Sequence, residues 1–563
     1  MNGLIMIIIA IVFLGGGYLL YGRWLEKTWG IDPEAKTPAF ELRDGVDYEP
    51  ANTPVVFGHQ FASIAGAGPI NGPIQAAVFG WVPVLLWVLV GGVFFGAVQD
   101  FSAMYASVKN KGRTIGYIIE EYIGKLGKKL FLLFCWLFCI LVVAAFADIV
   151  AATFNGFTLE GAKIAANGSV ATTSMLFIVE AVGLGFLLRY SKLNKWLNTF
   201  IAIGLLVLGV ALGLSFPVFI STGTWHIIIF LYIMIASVTP VWALLQPRDY
   251  LNSYLLIFML LAAGIGIVAT NPAINLPAFT SFHVEGTGNL FPILFVTIAC
   301  GAVSGFHALV SSGTSSKQIK NEKHMLPVSF GAMLLESLLA VIALIAVASF
   351  VTGAAEEAGY LTPVQVFAGG IANFLAQIGL PHGVVFTLVN LAVSAFALTS
   401  LDSVARVGRL SFQELFLDAS IEDDQMKLWR RIATNKYFAT AITLVLAYLL
   451  AKVGYKDIWP LFGSANQLLS ALAIISCAVF FKRTHRKGWM LWTPMVIMLC
   501  VTLTALVQTI IGLVGAPTAG NILQLVFAVA LLILAVIVAF MGFRRLAEKV
   551  PEATDSDRAL ETE

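Results

Sequence analysis

Charged residues are scarce in this 563-residue chain, where Asp, Glu, Lys and Arg make up only 12% of the total. Soluble domains carry roughly 25% because their surfaces face water, so we expect no soluble domain here. The five cysteines, at 135, 139, 300, 477 and 500, all lie in apolar runs, which argues against a disulfide framework. HExxH, GxSxG and Walker sequences are absent, so neither an enzyme nor a bound cofactor is expected.

Apolar sequence is abundant: 59% of the residues are hydrophobic, and the mean hydropathy is +0.88. A transmembrane helix needs about 20 mainly apolar residues, and fourteen runs qualify. They lie near 2–22, 81–107, 130–153, 173–188, 197–216, 226–246, 250–270, 291–313, 326–352, 383–401, 437–453, 458–481, 489–513 and 521–542. The chain is therefore predicted to be an all-α integral membrane protein. Its first run lacks the features of a cleavable signal peptide and is expected to be retained.

A fifteenth span, 56–78, is rich in Gly, Pro and polar residues, and the distribution of charge predicts it. Positively charged residues concentrate in cytoplasmic loops. The basic segments 23–55 and 108–129 should both be cytoplasmic, so an even number of spans must separate them. The span 81–107 is one of these, and 56–78 must be the other.

With about 15 transmembrane helices, all lysines and arginines except Lys163, Lys452 and Lys456 fall on the cytoplasmic side. The N-terminus is then outside and the C-terminus inside, in a bacterial or archaeal plasma membrane. The lipid bilayer and a small-molecule substrate are the expected partners. No nucleic-acid partner is expected, and the oligomeric state is not indicated.

Short helices that do not span the membrane are expected at 114–129, 363–379 and 404–418. The acidic tail 550–563 is expected to be disordered.

One span carries the sequence GHQFASIAGAGPINGP at 58–73. Three of its glycines and its two prolines, Pro69 and Pro73, are incompatible with an undisturbed helix. Unwound backbone at membrane depth is tolerated only where protein buries it or water reaches it. This pattern predicts a broken helix, with a tightly packed glycine-lined crossing as the alternative.

A second break is predicted in 226–250, where Pro240 and Pro247 bracket the apolar part of SVTPVWALLQPRDY (237–250). An ordinary proline kink is the alternative. Under the predicted topology this span runs opposite to 56–78 and begins five spans after it. Paired broken helices in an inverted repeat indicate the binding site of a secondary transporter.

A third segment, CGAVSGFHALVSSGTSS (300–316), is predicted to be polar without being broken. Its polar side chains follow helical spacing and share one face: Ser304, His307, Ser311, Thr314 and Ser315. Such a face could hold a cation or a carboxylate, or it could join helices through hydrogen bonds. Intramembrane ionisable groups are costly and usually functional, so His307 is the strongest candidate here.

Other ionisable residues at membrane depth are His59, Asp100, Asp148, Glu180 and Glu336. Asp148 is expected near the outer interface. Glu180 and Glu336 are candidates for a proton site, although each carboxyl could equally belong to a structural ion pair.

These segments resemble the carbon starvation protein A family, peptide and pyruvate transporters of the amino acid–polyamine–cation superfamily. The blocks that carry the resemblance are GHQFASIAGAGPINGP, AVQDF (97–101), PVWALLQPRDY, NPAINLPAF (271–279) and CGAVSGFHALVSSGTSSKQI. The resemblance implies a LeuT-like core of five-plus-five inverted repeats, with one extra N-terminal helix and about four extra C-terminal helices. The implied divisions are 1–55 (N-terminal helix and linker), 56–225 (first repeat), 226–401 (second repeat) and 402–563 (cytoplasmic loop, C-terminal helices and tail).

The predicted function is a secondary active symporter that imports a small carboxylate-bearing solute, pyruvate or short peptides, under carbon starvation. Protons are the expected coupling ion, with Na⁺ as the alternative and a channel as a weaker one. The candidate substrate-binding residues are Ser63, Gly66, Gly68, Asn71, Thr239, Trp242 and Gln246. The candidate ion-coupling residues are His59, His307, Ser311, Ser312, Thr314, Ser315 and Asp100.

Overall fold

The computed structural model describes residues 1–44, 48–158, 160–190, 195–239, 244–351, 354, 359–360, 362–417, 427–515 and 519–549, and within them it is almost entirely helical. The first eleven helices are α1 (Gly3–Thr28), α2 (Pro38–Glu41), α3 (Thr53–Ile64), α4 (Gly68–Ala76), α5 (Trp81–Lys109), α6 (Ile115–Tyr122), α7 (Lys125–Thr153), α8 (Ala165–Tyr190), α9 (Lys195–Ser215), α10 (Thr222–Val238) and α11 (Leu245–Thr270).

A small antiparallel hairpin of β1 (His283–Val284) and β2 (Gly288–Asn289) separates these helices from the second half of the chain. The remaining helices are α12 (Leu290–Thr297), α13 (Ala299–Ala302), α14 (Gly305–Gly313), α15 (Glu322–Ala348), α16 (Pro363–Gln377), α17 (His382–Phe416), α18 (Leu428–Ala433), α19 (Lys436–Ala451), α20 (Tyr455–Arg483), α21 (Trp489–Gly515) and α22 (Ala519–Ala547).

Helices occur at all fifteen positions where the sequence predicts a span. Within the described residues, ten helices are long and apolar enough to cross a membrane, and three shorter apolar helices are Thr222–Val238, Tyr254–Thr270 and Lys436–Ala451. The two remaining positions hold interrupted helices, one made of α3 and α4 and one made of α12, α13 and α14. The protein is thus a multi-pass helical membrane protein, and the count of fifteen crossings stays a prediction.

The helices expected outside the bilayer have different outcomes. A helix occupies Pro363–Gln377, close to the expected 363–379. In 114–129, Gly124 has a φ of 125°, which separates the short α6 from the long α7. The separate helix predicted at 404–418 is wrong, because α17 continues without a break to Phe416. Its last turns are held in the bundle by buried residues, including Phe412.

The first interrupted helix breaks where the sequence predicts it. Helix α3 ends at Ile64, Ala65 has non-helical backbone angles (φ −75°, ψ 56°), and α4 starts at Gly68 with Pro69 in its first turn. Proline fits the first turn of a helix because no intrahelical partner is lost there.

The second predicted break, between Pro240 and Pro247, falls largely outside the described residues, and a different segment is interrupted. Helices α10 and α11 are each continuous, and residues 240–243 between them lie outside the described residues. The segment 300–316, predicted to be unbroken, is instead interrupted at Val303–Ser304, whose backbone is extended, and a further interruption lies just before it at Ile298. The partner of the first interrupted helix is therefore 290–313.

The two interrupted helices pack directly against each other in the interior. A methyl group added at Gly72 would lie 2.7 Å from the backbone oxygen of Thr297, and one added at Gly68 would overlap Sγ of Cys300. The small residues of 66–72 thus allow the two backbones to approach closely. Helices α17 and α20 are among the most buried in the bundle, whereas α1, α9 and α21 lie largely on its outer surface.

Candidate functional site

A small cavity of about 30 Å³ lies where the two interrupted helices lose their helical backbone. It has room for a water molecule or two, so it must widen to admit a small organic solute. Its polar or small lining residues include Ser63, Gly66, Gly68, Cys300, Ser304, His307, Ser400 and Asn466. Phe138, Phe146 and Phe462 supply aromatic walls.

Two half-helices begin at this cavity, α4 at Gly68 and α14 at Gly305. Gly68, Ser304 and Phe306 all line it. The first N–H groups of a helix have no intrahelical acceptor, and the N-terminal end carries partial positive charge. Of these groups, Pro69 has no N–H and the N–H of Phe306 already donates to Asn466, so only part of each first turn is left for an anion.

His307 lies between two carboxyl groups from different helices. Its Nδ1 atom is 3.2 Å from Oδ2 of Asp100 on α5, and its Nε2 atom is 3.2 Å from Oε2 of Glu336 on α15. Each of the three side chains is at most 1% exposed. The contact with Asp100 has hydrogen-bond geometry, whereas neither oxygen of Glu336 has a hydrogen-bond partner within the described part of the chain.

Polar side chains from distant helices hold the extended backbone at Ser304. Nε2 of Gln99 donates to the carbonyl of Ser304 at 2.7 Å, and Ser470 donates to the side-chain oxygen of Gln99. Oδ1 of Asn466 accepts from the hydroxyl of Ser304 at 3.1 Å and from the N–H of Phe306 at 3.3 Å. The backbone groups released by the break are thereby satisfied.

The hydroxyl cluster predicted for ion coupling is present, but its members bond to protein groups. Gln60 on α3 donates to Ser311 at 2.8 Å and accepts from Ser315 at 2.6 Å, and all three side chains are fully buried. Ser312 and Thr314 donate to backbone carbonyls one turn earlier, at 2.7 and 3.0 Å. The two bonds of Gln60 join α3, in the first interrupted helix, to the end of the second interrupted helix.

The candidate substrate residues separate into two sets. Ser63, Gly66 and Gly68 line the cavity, and Asn71 is buried on α4, with neither side-chain polar atom hydrogen-bonded within the described residues. The second set lies in 239–246. The hydroxyl of Thr239 donates to the carbonyl of Ile235 at 2.7 Å, Trp242 lies outside the described residues, and so does the side chain of Gln246.

The remaining candidates of the ionisable set lie in several places. Asp100 and His307 are in direct contact. Nε2 of His59 is buried on α3 without a hydrogen-bond partner in the described ranges. Glu180 packs beside Gly209 on the neighbouring helix α9.

Several residues of the site were not predicted from the sequence, notably Gln99, Asn466 and Ser470. Asn466 belongs to SANQLLS (464–470), a polar run within an apolar helix that is the signal that could have found it. The resemblance places the helices after residue 437 outside the core, so this polar run is not among the predicted site residues.

Two buried acids lie on the long antiparallel pair α7 and α17. The antiparallel arrangement follows from the 2.9 Å ion pair between Lys128, near the start of α7, and Glu414, near the end of α17. At 1.5 Å per residue, Asp148 lies about 30 Å and Asp402 about 18 Å along the pair from that contact. Asp402 is therefore near the depth of the cavity, whose lining includes Ser400 and Val404, and Asp148 is nearer to one end of the bundle.

Each of these acids ties down the first turn of a further helix. Asp148 contacts Nε2 of His226 at 2.7 Å and accepts from the N–H of Tyr455, the first residue of α20, at 2.6 Å. Asp402 is paired with Arg248, in the first turn of α11, and both side chains are fully buried.

The sequence is similar to known proteins over most of its length. The model of the family described as "Carbon starvation protein CstA" matches residues 2–360 and 352–505. The "Peptide transporter CstA" of Escherichia coli is 31% identical, and the match covers 90% of this chain and 80% of that protein. The protein of the same name from Bacillus subtilis is 32% identical, with 87% of each chain covered.

A relative with a different printed substrate is also similar. The "Pyruvate/proton symporter BtsT" of Escherichia coli is 30% identical, and the match covers 87% of this chain and 79% of that protein. The resemblance seen in the sequence motifs is confirmed by these matches. The chain belongs to the carbon starvation protein CstA family and is a multi-pass membrane transporter, not an enzyme.

Proposed function

We propose that this protein is a proton-coupled symporter that imports a small monocarboxylate of the size of pyruvate. The observation that carries the proposal is the Asp100–His307–Glu336 cluster, because His307 belongs both to this cluster and to the wall of the cavity. A proton bound in the cluster and an anion bound in the cavity would then interact through one side chain.

The burial of the cluster supports proton binding. A buried carboxylate without hydrogen-bond partners carries a large desolvation cost in its charged form. The charge of Asp100 has a partner in His307, whereas Glu336 has no hydrogen bond within the described residues. Glu336 therefore holds the proton in this closed state and passes it to His307 or to water when the cavity opens.

The cavity lining supports a simple carboxylate over a peptide. The first turns of α4 and α14 would offer a carboxylate the N–H groups that remain beside Pro69 and Phe306. A peptide also carries an ammonium group, which needs an anionic partner when it is buried. The lining residues include no carboxylate, and Asp100 and Glu336 lie behind His307.

Coupling to Na⁺ is less well supported. Sodium would need several free oxygen ligands at the hydroxyl cluster of α14. The hydroxyls of Ser311 and Ser315 are instead bonded to the amide of Gln60, so a cation would have to displace these bonds.

The order of elements supports an inverted repeat with a different division from 56–225 and 226–401. Each repeat would contain an interrupted helix, a long helix with a π-helical segment (Gly92–Gly96 or Leu326–Gly331), a short helix, a long helix and two further helices. The first would run from α3 to α11 with α8 and α9 inserted, and the second from α12 to α20. Asp148 and Asp402 then occupy equivalent positions.

Uptake by proteoliposomes that contain the purified full chain tests the proposal. Labelled pyruvate should accumulate under an inward proton gradient alone, should show counterflow, and should be displaced by other monocarboxylates but not by methyl pyruvate or dialanine. Accumulation driven only by a sodium gradient, or displacement by dialanine as strong as by pyruvate, contradicts the proposal. Conductance without counterflow would indicate a channel.

A further inference from the structure

A second cavity, of about 170 Å³, lies at the end of the bundle where α20, α21 and α22 meet. It shares no residue with the cavity at the interrupted helices. Lys482, Arg486, Trp489, Trp492 and Leu546 line it. Basic side chains and indole rings thus surround one opening, on the side where the sequence places most of its basic loops.

An acid close to this cavity already has two basic partners. Glu548, just after α22, is paired with Arg545 at 2.9 Å and with Arg483 at 2.5 Å. The hydrogen bond from Arg545 and the charges of both arginines hold the pKa of the Glu548 carboxyl below its usual range. Glu548 therefore stays ionised and paired with these two arginines.

Lys482 and Arg486 have no carboxylate partner among the described residues. Nζ of Lys482 donates to the carbonyl of Leu546, at the end of α22, and to that of Glu548, just after it. The guanidinium of Arg486 stacks over the rings of Tyr105 at 5.4 Å and Phe480 at 5.7 Å. This aromatic support holds the cation at the cavity without neutralising its charge.

The aromatic residues place the cavity at the level of the lipid headgroups. Trp489 is 64% exposed and Trp492 is 47% exposed. Trp489 packs edge-on against Trp24, which stacks on Tyr21. Trp and Tyr concentrate at the membrane–water interface, so this row of rings marks the boundary between acyl chains and headgroups.

We infer that this cavity binds the phosphate of an anionic phospholipid from the bilayer. Arg486 would contact the phosphate, and the acyl chains would run along Trp492 and the exposed apolar faces of α21 and α22. Basic pockets between transmembrane helices on the cytoplasmic side commonly take such headgroups. A free phosphate ion would use the cation but not the exposed indoles, which favours the lipid.

Thermal unfolding of the detergent-purified full chain tests the inference. Cardiolipin should raise the melting temperature, whereas the same amount of phosphatidylcholine or inorganic phosphate should not. Arg486→Gln should bind cardiolipin about fivefold more weakly, the effect of one basic residue at an anionic surface. Arg113→Gln is the matched control, since Arg113 also stacks on a ring, that of Tyr117 at 5.0 Å, but away from the cavity.

The same comparison is repeated by counting cardiolipin adducts in native mass spectra, with Trp492→Ala as a second variant in case Arg486→Gln unfolds. Fewer adducts on the cavity variants than on the control support the site. Equal cardiolipin binding by wild type and both cavity variants overturns the inference. An equal stabilisation by inorganic phosphate overturns the lipid assignment.

Discussion

The Oε2 atom of Glu336 lies 3.2 Å from Nε2 of His307, on the side of the ring opposite to Asp100. Two acids from different helices thus share one imidazole, and all three side chains are buried. The relationship makes Glu336 the group whose neutralisation should uncouple transport from the proton gradient.

Glu336→Gln keeps the shape of the side chain and removes the titratable group. We expect this variant to exchange labelled for unlabelled pyruvate while no longer accumulating it under a proton gradient, since its charge no longer changes. Glu180→Gln, which removes a membrane-embedded carboxyl beside Gly209, should accumulate pyruvate normally. Proton-driven accumulation by Glu336→Gln at the wild-type level would contradict the proposed role.

Asp402→Ala should destabilise the protein strongly. It removes the carboxylate that is paired with the fully buried Arg248, and breaking a buried ion pair typically costs about 3–5 kcal/mol. The double variant Asp402→Leu with Arg248→Met should recover part of this loss. Unfolding temperatures of the purified variants measure both effects, and a double variant no more stable than Asp402→Ala would argue against an isolated pair effect.

Gly72→Ala should impair folding and transport. Its methyl group would lie 2.7 Å from the carbonyl oxygen of Thr297, a backbone atom that cannot move aside easily, and overpacking of this kind costs about 1–3 kcal/mol. Gly58→Ala is the control, because a methyl group there meets no atom within 4 Å. The amount of folded protein in the membrane and its uptake rate should fall only for Gly72→Ala.

Ser311→Ala tests the role of the hydroxyl cluster. The variant loses the hydrogen bond from Gln60, a loss of about 0.5–1.5 kcal/mol, but we expect proton-driven uptake to persist. Sodium should have no effect on either protein. If sodium accelerates wild-type uptake and Ser311→Ala abolishes that acceleration, the cluster is a cation site and the assignment to protons is wrong.

The sequence predicted the elements whose causes are local. Apolar runs located every long helix, and Pro69 and Pro73 together with the glycines of 58–73 located the first interruption. The second interruption has no proline at its break. The extended backbone at Ser304 is held by hydrogen bonds to Gln99 and Asn466, which are both at least 162 residues away in the sequence. A single sequence does not reveal such partners.

The candidate site was predicted only in part, because its contacts also join residues that are far apart in the sequence. His307 and Asp100 could be named because ionisable residues in apolar runs stand out, but their contact depends on how α5 and α14 pack. Pro240 and Pro247 suggested a break that the described residues do not include, whereas α10 and α11 on either side are continuous helices.

Cys300 lines the cavity beside Gly68, and its Sγ atom lies 3.5 Å from Nδ2 of Asn466. The wall of the proposed substrate cavity therefore carries a natural chemical reporter. A thiol reagent that cannot cross membranes would alkylate Cys300 only in molecules whose pathway is open to the compartment holding the reagent. The labelling rate from each side, with and without substrate, would thus measure the balance of inward-open and outward-open molecules without an engineered probe.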